Sequence, residues 1–427
     1  MILILGGGLA GLSAAYHLGG TPHLVLEAES VPGGLCRTRE AGGFLFDYTG
    51  HLLHLRDPRA IALVDRLLPG AFETVARRAC IRTRGATLPF PFQANLHGLP
   101  PRTVHDCVAG FVESLGSNVL LAADTSFREW SLSVFGRGIS DAFMFPYNAK
   151  VFRREADAMT ADWVSWAVPR PSLREVVRGA LGFFNEGMGY NPTFRYPREG
   201  GIGILPGAFA GKLSTLRCGA RVLAVDLERR AVTVDGGERI AWDRLVVTTP
   251  LPGFLRMTGE QALADLAGEL DWSVVACLNV GVDREGVGGG AHWTYFPDPD
   301  VPFYRIGFPA SFSRSVAPLG TSSLYVELAL GRRETPDLAS LEAVVLEALR
   351  DQGVLRPSDR ILVRDWVLID PGYVIFDRRR LAAMASLVPA LEERGVHLAG
   401  RYGAWTYSYM ERAMLDGLEI ARKLAGS

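Results

Sequence analysis

The chain has 427 residues, a formal net charge of −1, 48% hydrophobic residues and 21% charged residues. This composition excludes a disordered polypeptide, and it excludes a nucleic-acid binder that relies on bulk positive charge. The length is sufficient for two or three domains. Glycine occurs 48 times, against about 30 expected at its usual share of about 7%, and much of the excess lies in short runs.

The first 26 residues contain no Asp, Glu, Lys or Arg. Two alternatives explain such a start: a signal peptide or membrane anchor, and a nucleotide site. A signal peptide begins with basic residues and continues with an unbroken apolar stretch. Here the first basic residue is Arg37, and glycines at 6, 7, 8 and 11 interrupt the stretch. No apolar run reaches the roughly 18 residues of a membrane span, so the first alternative is weaker, and only association with a membrane surface stays open.

The nucleotide alternative accounts for each residue class in this segment. The apolar run 2–5 predicts a buried strand, residues 12–18 predict a helix, and residues 23–26 predict a second strand. The turn between the first strand and the helix satisfies G-x-G-x-x-G. Its glycines form the tight turn, admit a pyrophosphate and let the helix pack closely on the strand. The predicted contacts in this turn are Gly6, Gly8, Leu9, Ala10 and Gly11.

An acidic residue and a second glycine pair extend this site. Glu27 follows the second strand, where it is placed to bind ribose hydroxyls. Gly33-Gly34 permits close approach of the backbone, although an ordinary turn is the alternative, and Arg37 offers a bidentate phosphate clamp. The segment resembles the large FAD-binding family of amine oxidases, protoporphyrinogen oxidases and UDP-galactopyranose mutases. The resemblance implies FAD as cofactor, with further contacts at Gly50, Val222, Arg401 and Met410.

Further strings resemble UDP-galactopyranose mutases of the eukaryotic type, in order along nearly the whole chain. They lie at residues 46–51, 88–95, 143–152, 194–197 with 200–201, 293–297 with 302–305, 372–373 and 400–407. The resemblance implies a catalytic set that consists of His51, Tyr295, Arg305, Tyr373 and Tyr407. It implies substrate-binding residues at Phe90, Phe92, Gln93, Tyr147, Asn148, Phe152, Arg170 and Trp293. The alternative for each aromatic ring is core packing, and the alternative for Arg305 is an ion pair.

The chain departs from the mutase pattern on the nucleotide side. Ala167 stands where these mutases have one of two arginines that bind the substrate diphosphate, and Arg170 is the candidate substitute. Phe90 replaces a tyrosine, and Phe152 replaces a tryptophan. Loss of one bidentate phosphate contact costs about 1.5–3 kcal/mol. These departures place the exact nucleotide sugar in question.

The predicted fold class is α/β, with a Rossmann-type FAD-binding domain that is discontinuous in sequence. Its parts are residues 1–54, 191–267 and 386–427, with a mainly helical substrate domain at 55–190 and an antiparallel β-sheet substrate domain at 268–385. Ser126 and Ser172 each begin a capping box, and Gly136 is the predicted end of the first of these helices. Strands are predicted at 273–282, 292–296, 322–330 and 361–368, with a helix at 341–350.

The resemblance implies a non-redox mutase that interconverts pyranose and furanose forms of a nucleotide sugar through a flavin N5–sugar adduct. FAD is then active in its reduced form, and NAD(P)H is a candidate reductant. The runner-up is an FAD-dependent oxidoreductase of the amine oxidase or protoporphyrinogen oxidase type. A flavin-binding scaffold or sensor without turnover is the third hypothesis.

The remaining features predict a cytoplasmic protein with a small-molecule substrate. The five cysteines are odd in number and widely spaced, which favours reduced thiols over a disulfide framework. His51 and His54 form H-x-x-H, but no Cys or acidic cluster at metal spacing accompanies them, so no metal site is predicted. We expect no nucleic-acid partner and no membrane span, and a homo-oligomer stays open.

Overall fold

The computed structural model describes residues 1–116, 122, 124–164, 168–185, 187–189 and 191–426. The strands are β1 Ile2–Leu5, β2 His23–Leu26, β3 Thr38–Ala41, β4 Phe44–Asp47, β5 Phe72–Ala76, β6 Ala79–Thr83, β7 Ala86–Pro89, β8 Thr193–Pro197, β9 Leu216–Arg217, β10 Val222–Asp226, β11 Ala231–Val234, β12 Arg239–Ala241, β13 Arg244–Val247, β14 Trp272–Val282, β15 Trp293–Tyr295, β16 Arg305–Gly307, β17 Ser322–Gly331, β18 Ile361–Val374 and β19 Val396–Leu398. The helices are α1 Leu9–Leu18, α2 Pro58–Leu67, α3 Pro101–Ser114, α4 Phe127–Ile139, α5 Phe145–Phe152, α6 Leu173–Ala180, α7 Ile204–Ala210, α8 Leu251–Met257, α9 Gln261–Gly268, α10 Leu338–Asp351, α11 Arg378–Glu393, α12 Gly400–Gly403 and α13 Met410–Ala425.

A parallel sheet made of both chain ends and the middle of the chain carries the predicted cofactor segments. Its described strands follow the order β19-β13-β1-β2-β9. β1 is paired in parallel with β2 on one side and with β13 on the other. The central strand β1 is fully apolar and buried because helices α1 and α13 cover the sheet, with Ala14, Ile420 and Leu424 buried in the same cluster. The discontinuous α/β fold class is therefore confirmed, and the exact domain boundaries stay a prediction.

The second large sheet is mostly antiparallel and contains residues from two predicted domains. Its described strands follow the order β18-β14-β17-β16-β15-β6-β7. The prediction that residues 55–190 are mostly helical was wrong for 72–89, which form β5, β6 and β7. β6 pairs in parallel with β15, more than 200 residues away. A partner at that distance leaves no periodic signal in the local sequence, because strand formation here depends on the long-range pairing.

Both predicted capping boxes are present in the mainly helical segment 101–180, and one predicted helix end is wrong. The Ser126 and Ser172 hydroxyls accept hydrogen bonds from the backbone N–H groups of Glu129 and Glu175. Gly136 was predicted to end its helix, but helical structure resumes beyond it after a kink at φ +72°. A Cβ atom there would lie 1.9 Å from the Gly110 carbonyl oxygen, so glycine permits the close crossing of α3 and α4. No helix in the described residues is long and apolar enough to span a membrane.

Candidate active site

The turn after β1 is built by glycines that leave no room for side chains. Gly6 has φ +103°, and a Cβ atom on Gly11 would lie 2.0 Å from the Gly6 carbonyl oxygen. Helix α1 therefore begins at Leu9, earlier than the predicted residue 12, and packs directly on the turn. The residue before the helix is Gly8, and no described side chain caps its N-terminus. Its first N–H groups are therefore available to an anion.

The second glycine pair lies against this turn. The Gly33 N–H donates to the Gly7 carbonyl oxygen at 2.7 Å, and Gly8 and Gly33 form a parallel bridge. A Cβ atom on Gly34 would lie 3.2 Å from the Gly8 Cα, so the two backbones face each other without side chains between them. Together, Gly6, Gly8, Gly11, Gly33 and Gly34 form a glycine cradle, a backbone surface of the kind that binds a diphosphate.

Two charged residues flank the glycine cradle. Glu27 follows β2, and its carboxylate accepts hydrogen bonds from the N–H groups of Gly7 at 2.7 Å and Glu29 at 2.9 Å. Arg37 Nε donates to the Gly34 carbonyl oxygen at 2.9 Å, and its guanidinium lies 4.7 Å from the Tyr48 ring centre. The Ala220 N–H donates to the Glu27 carbonyl oxygen, which brings the start of β10, and thus Val222, to the same edge.

The C-terminal segment closes on the first turn of α1. A Cβ atom on Gly403 would lie 2.0 Å from the Val247 carbonyl oxygen, and one on Gly400 would lie 2.7 Å from the Ala10 Cβ. Arg401 donates to the Ser408 carbonyl oxygen. Met410 is buried as the first residue of α13. The predicted cofactor residues from both chain ends therefore lie around one place in the fold.

The loop after β4 holds His51 as a neutral imidazole. Thr49 has φ +69°, and a Cβ atom on Gly50 would lie 2.1 Å from the Tyr325 hydroxyl oxygen, so Tyr325 packs directly on this loop. Burial and the positive charge of Arg401 lower the pKa of His51 to about 4. At neutral pH its ring therefore carries one N–H donor and one acceptor.

Asp47, which the sequence analysis missed as a site residue, anchors the start of this loop. Its carboxylate accepts hydrogen bonds from Thr38 Oγ1 at 2.6 Å, Tyr196 Oη at 2.7 Å and the Ile202 N–H at 3.0 Å. Burial raises the pKa of Asp47 to about 6, against the opposite effect of these hydrogen bonds. Asp47 thus ties β4 to three separate segments just before His51.

Arg305 forms a bidentate ion pair with a buried carboxylate. Its Nε and Nη2 atoms each donate to Glu327 at 2.7 Å, and the Glu327 side chain has no exposed surface. The two residues are cross-strand neighbours on β16 and β17. The predicted alternative for Arg305, an ion pair, is therefore present, but in the interior. Glu327 was missed, although a lone acid in the apolar run 322–330 is a usable sequence signal.

Tyrosines surround this ion pair. Tyr295 is the cross-strand neighbour of Arg305 on its other side, and the ring centres of Tyr147 and Tyr295 are 5.4 Å apart. Burial raises the pKa of Tyr373 to about 12, against the opposing charge of Arg305. These phenols are therefore protonated at neutral pH and are hydrogen-bond donors. We call this group the arginine–tyrosine cluster; its members are Arg305, Glu327, Tyr147, Tyr295, Tyr304 and Tyr373.

Arg401 joins the cofactor side to this cluster. Its guanidinium lies 5.9 Å from the Tyr373 ring centre and 5.4 Å from that of Tyr407. The structure therefore brings together His51, Tyr295, Arg305, Tyr373 and Tyr407, the five residues predicted as catalytic. The charges of Arg401 and Arg305 both lower the pKa of His51, so both guanidinium groups lie near the imidazole.

Several predicted substrate-binding residues instead have partners within the fold. Phe92 is fully buried and stacks on Phe143 at 5.0 Å, so core packing accounts for its ring. Gln93 Nε2 donates to the Pro169 carbonyl oxygen at 2.6 Å. Asn148 Nδ2 donates to the Met144 carbonyl oxygen at 2.7 Å. These side chains support the walls of the site in this structure.

The other predicted substrate-binding rings are closer to the cluster. Phe90 lies 5.4 Å from the Tyr295 ring centre, and buried Phe152 meets Tyr373 edge-on at 5.8 Å. Trp293 is buried on β15, beside Phe194. Arg170 is exposed, with its guanidinium 5.6 Å from the Trp130 ring centre. Ala167, the departure from the mutase pattern, lies outside the described residues.

A family model for flavin containing amine oxidoreductases matches residues 9–425. The chain belongs to this family. A solved structure of reduced UDP-galactopyranose mutase superposes on this amine oxidoreductase fold with a TM-score of 0.92 and 28% identity, and the match covers 100% of this chain and 93% of the other. The putative protoporphyrinogen oxidase of Exiguobacterium sp. 255-15 shares the fold, with a TM-score of 0.73 and 16% identity over 99% of this chain and 98% of the other.

A relative found by sequence comparison has a name that implies a different reaction. The phytoene dehydrogenase of Streptomyces griseus is 27% identical over 351 residues, which are 74% of this chain and 64% of the relative. The chain thus spans less than two thirds of the length of that protein. The mutase structure and the dehydrogenase sequence thus belong to proteins with different reactions.

The glycine cradle fits FAD, the cofactor that the family implies. The cradle offers backbone N–H groups without intervening side chains, as a diphosphate requires, and Glu27 follows the second strand as a ribose-binding acid does. Within the described ranges, no group of three or more His, Cys, Asp or Glu side chains lies close enough together to hold a metal ion. The chain is thus a flavin enzyme by family, and the residues that bear on its specific reaction are those of the arginine–tyrosine cluster.

Proposed function

We propose that this protein is an FAD-dependent mutase that interconverts the pyranose and furanose forms of a nucleotide sugar. The observation that carries the proposal is the arginine–tyrosine cluster, which lies beside His51 and Arg401 in a fold that matches UDP-galactopyranose mutase over the whole chain. Phenols and guanidinium groups suit a polar, phosphate-bearing ligand, whereas an apolar substrate would leave their hydrogen-bonding capacity unsatisfied.

Arg305 is the proposed phosphate-binding and charge-stabilising residue. Glu327 holds its Nε and Nη2 atoms, which leaves Nη1 for a diphosphate oxygen. Because the pair is buried, its geometry is fixed before the substrate arrives, as electrostatic stabilisation of a departing phosphate requires. Arg401 supplies a second positive charge near Tyr407. This charge matters more here because Ala167 stands where the mutases have their second diphosphate-binding arginine.

The tyrosines and His51 are proposed to orient the sugar. Tyr295, Tyr373 and Tyr407 hold phosphate or sugar oxygens through their phenol hydroxyls, and burial raises the pKa of Tyr295 and Tyr373 so that both stay protonated. His51 is neutral at physiological pH, so it orients its neighbours by hydrogen bonding and carries no fixed positive charge. Phe90, beside Tyr295, is the proposed contact for the nucleotide base. Reduced FAD bound at the glycine cradle supplies a nucleophile for the anomeric carbon, and NAD(P)H is the proposed reductant.

The second candidate function is an oxidoreductase of the same family. The phytoene dehydrogenase supports it, because that relative is 27% identical to this chain over 351 residues. This candidate requires a redox cycle of the flavin at each turnover, whereas the mutase requires none. The two functions therefore differ in whether an electron acceptor is consumed.

The experiment compares dithionite-reduced and oxidised protein on UDP-, TDP- and GDP-sugars, with chromatography of the ring isomers. We expect interconversion by the reduced protein alone, with no net redox change. The variant Arg305→Met should abolish turnover, whereas Arg350→Met, on the exposed side of α10, should retain it. Consumption of oxygen or of an artificial acceptor with an amine, porphyrinogen or polyene, together with no isomerisation, would instead establish the oxidoreductase.

A further inference from the structure

Helix α6 presents an apolar stripe to solvent, outside the proposed active site. Its inner face is fixed to the core: Val176 is fully buried, and a Cβ atom on Gly179 would lie 1.8 Å from the Ala94 carbonyl oxygen. On the outer face, Leu173, Val177 and Leu181 follow one another at intervals of four residues and are all exposed. Leu181 is 68% exposed. We call these three residues the aliphatic stripe.

Two phenylalanines extend the aliphatic stripe and are held outward. Phe183 is 60% exposed and Phe184 is 48% exposed. Asn185 fixes the chain that carries them: its N–H binds Asn95 Oδ1 at 2.9 Å, and its Nδ2 binds the Ala94 and Glu175 carbonyl oxygens at 2.6 and 2.8 Å. Because Asn185 is anchored to the core, the adjacent rings are held at the surface by the fold.

A row of arginines runs parallel to the stripe. Arg174 and Arg178 are four residues apart on α6, Arg170 lies in the segment before the helix, and all three are exposed. None of them forms an ion pair with a described acidic residue, in contrast to exposed arginines elsewhere, such as Arg128 with Asp157. The acid within α6, Glu175, is occupied at the helix start, where it accepts from the Ser172 N–H and hydroxyl. Among the described residues, no acid therefore neutralises the row, and the Arg178 guanidinium lies 5.5 Å from the Phe183 ring centre.

We propose that this surface binds an anionic phospholipid membrane, with α6 lying in the plane of the headgroups. A helix with a strongly apolar face and a parallel basic row has the pattern of interfacial helices. The phenylalanines enter the acyl boundary, and the arginines contact lipid phosphates. A second copy of the chain is a poorer occupant, because an antiparallel two-fold contact on α6 places the two arginine rows side by side, and no unoccupied acid on the helix offsets the repulsion.

The test is co-sedimentation of the full-length, FAD-loaded protein with vesicles of phosphatidylcholine alone, and of phosphatidylcholine and phosphatidylglycerol in equal parts. We expect binding only to the anionic vesicles, and weaker binding as salt rises. Arg174→Gln with Arg178→Gln should lower the binding constant about 25-fold, at about fivefold for each arginine. Phe183→Ser with Phe184→Ser should lower it at every salt concentration. Arg350→Gln on α10 and Leu319→Ser, at a residue that is 97% exposed, are matched controls that should bind as the unmodified chain does.

Two further measurements keep the proposal open to refutation. Flavin absorbance and thermal unfolding report whether each variant is folded, and hydrogen exchange of residues 173–184 on the unmodified chain needs no variant. We expect protection of that segment when anionic vesicles are present. Absence of vesicle binding, equal binding by all variants, or a dimer that the phenylalanine variant dissociates would each overturn the proposal, the last in favour of a second copy.

Discussion

The glycine cradle and the arginine–tyrosine cluster form two sides of one site by opposite means. The cradle is made of backbone: a Cβ atom on Gly11 would overlap the Gly6 carbonyl oxygen, and one on Gly34 would crowd Gly8. The cluster is made of side chains, with one ion pair and several phenols buried among strands that are distant in sequence. The cradle therefore tolerates almost no added atom, whereas the cluster tolerates almost no lost charge.

The largest expected effect comes from the charge of the cluster. Glu327→Gln leaves the buried guanidinium of Arg305 without a counter-charge, and breaking such a pair costs about 3–5 kcal/mol of unfolding free energy. Urea unfolding measures the loss. Arg305→Met combined with Glu327→Gln should be less destabilised than the sum of the single variants, because the unpaired charge is then removed.

A matched pair elsewhere separates stability from function. Arg284 and Asp359 form a similar bidentate pair at 2.7 and 2.8 Å, and the Asp359 side chain is 3% exposed. Asp359→Asn should destabilise the fold to a similar degree, but it should leave nucleotide binding to the folded protein unchanged. If both variants weakened UDP binding equally, the assignment of Arg305 to phosphate recognition would be wrong.

The next effect tests the backbone side. Gly11→Ala places a Cβ atom 2.0 Å from the Gly6 carbonyl oxygen, and the resulting overpacking costs about 3 kcal/mol. We expect loss of most bound FAD, measured by flavin absorbance after gel filtration. Gly20→Ala is the control, since a Cβ atom there meets nothing within 4 Å. Retention of FAD by Gly11→Ala at the level of the control would contradict the tight-turn account.

The cradle could be predicted from local spacing, whereas the cluster residues were predicted by resemblance alone and without Glu327, for a physical reason. The β1–α1–β2 unit is local, so its apolar runs and glycine spacing lie within the first 27 residues. Glu327 and Asp47 have their roles only through partners on other elements, and no spacing rule connects them. Resemblance placed Arg305 and the tyrosines correctly in one region, but it carried no information on the carboxylate behind Arg305.

The same contrast explains the errors in the fold. Strands β6 and β7 were predicted within a helical segment because the strand that joins β6 to the sheet, β15, lies in another part of the chain. Phe92 was predicted to bind substrate from its short local sequence motif alone. In the structure it stacks on Phe143 in the core. Short motifs thus predict the geometry of a local turn, whereas the burial of a side chain depends on how distant strands and helices pack together.

A smaller effect concerns the support of the cluster. Lys150 Nζ donates to the carbonyl oxygens of Phe296, Asp298 and Phe303 at 2.7, 2.9 and 2.7 Å, which fixes the segment before Arg305 to α5. Lys150→Met removes all three bonds and should cost about 2 kcal/mol of unfolding free energy. We also expect weaker substrate binding with unchanged FAD content. Exposed Lys212→Met is the control, and parallel loss of FAD would show that the two sides are not separable.

The smallest effect lies where the two sides meet, at Asp47. Its folded-state pKa is about 6, above its ordinary value of 3.8. The protonated carboxyl therefore stabilises the fold fully below pH 3.8, and this contribution is lost as the pH rises through about 6. Asp47→Asn keeps an oxygen for Thr38 and the Ile202 N–H, and it offers an N–H to Tyr196, as a protonated acid would.

The variant should therefore match the unmodified chain at low pH and exceed its stability near neutral pH, by on the order of 1–2 kcal/mol. Urea unfolding at a series of pH values between those two pKa values measures the slope. A slope that persists in Asp47→Asn would assign the pH dependence to another group. If the pH dependence of stability vanishes in Asp47→Asn while FAD binding is kept, Asp47 is its source. A neutral hydrogen-bond network then suffices to anchor the His51 loop.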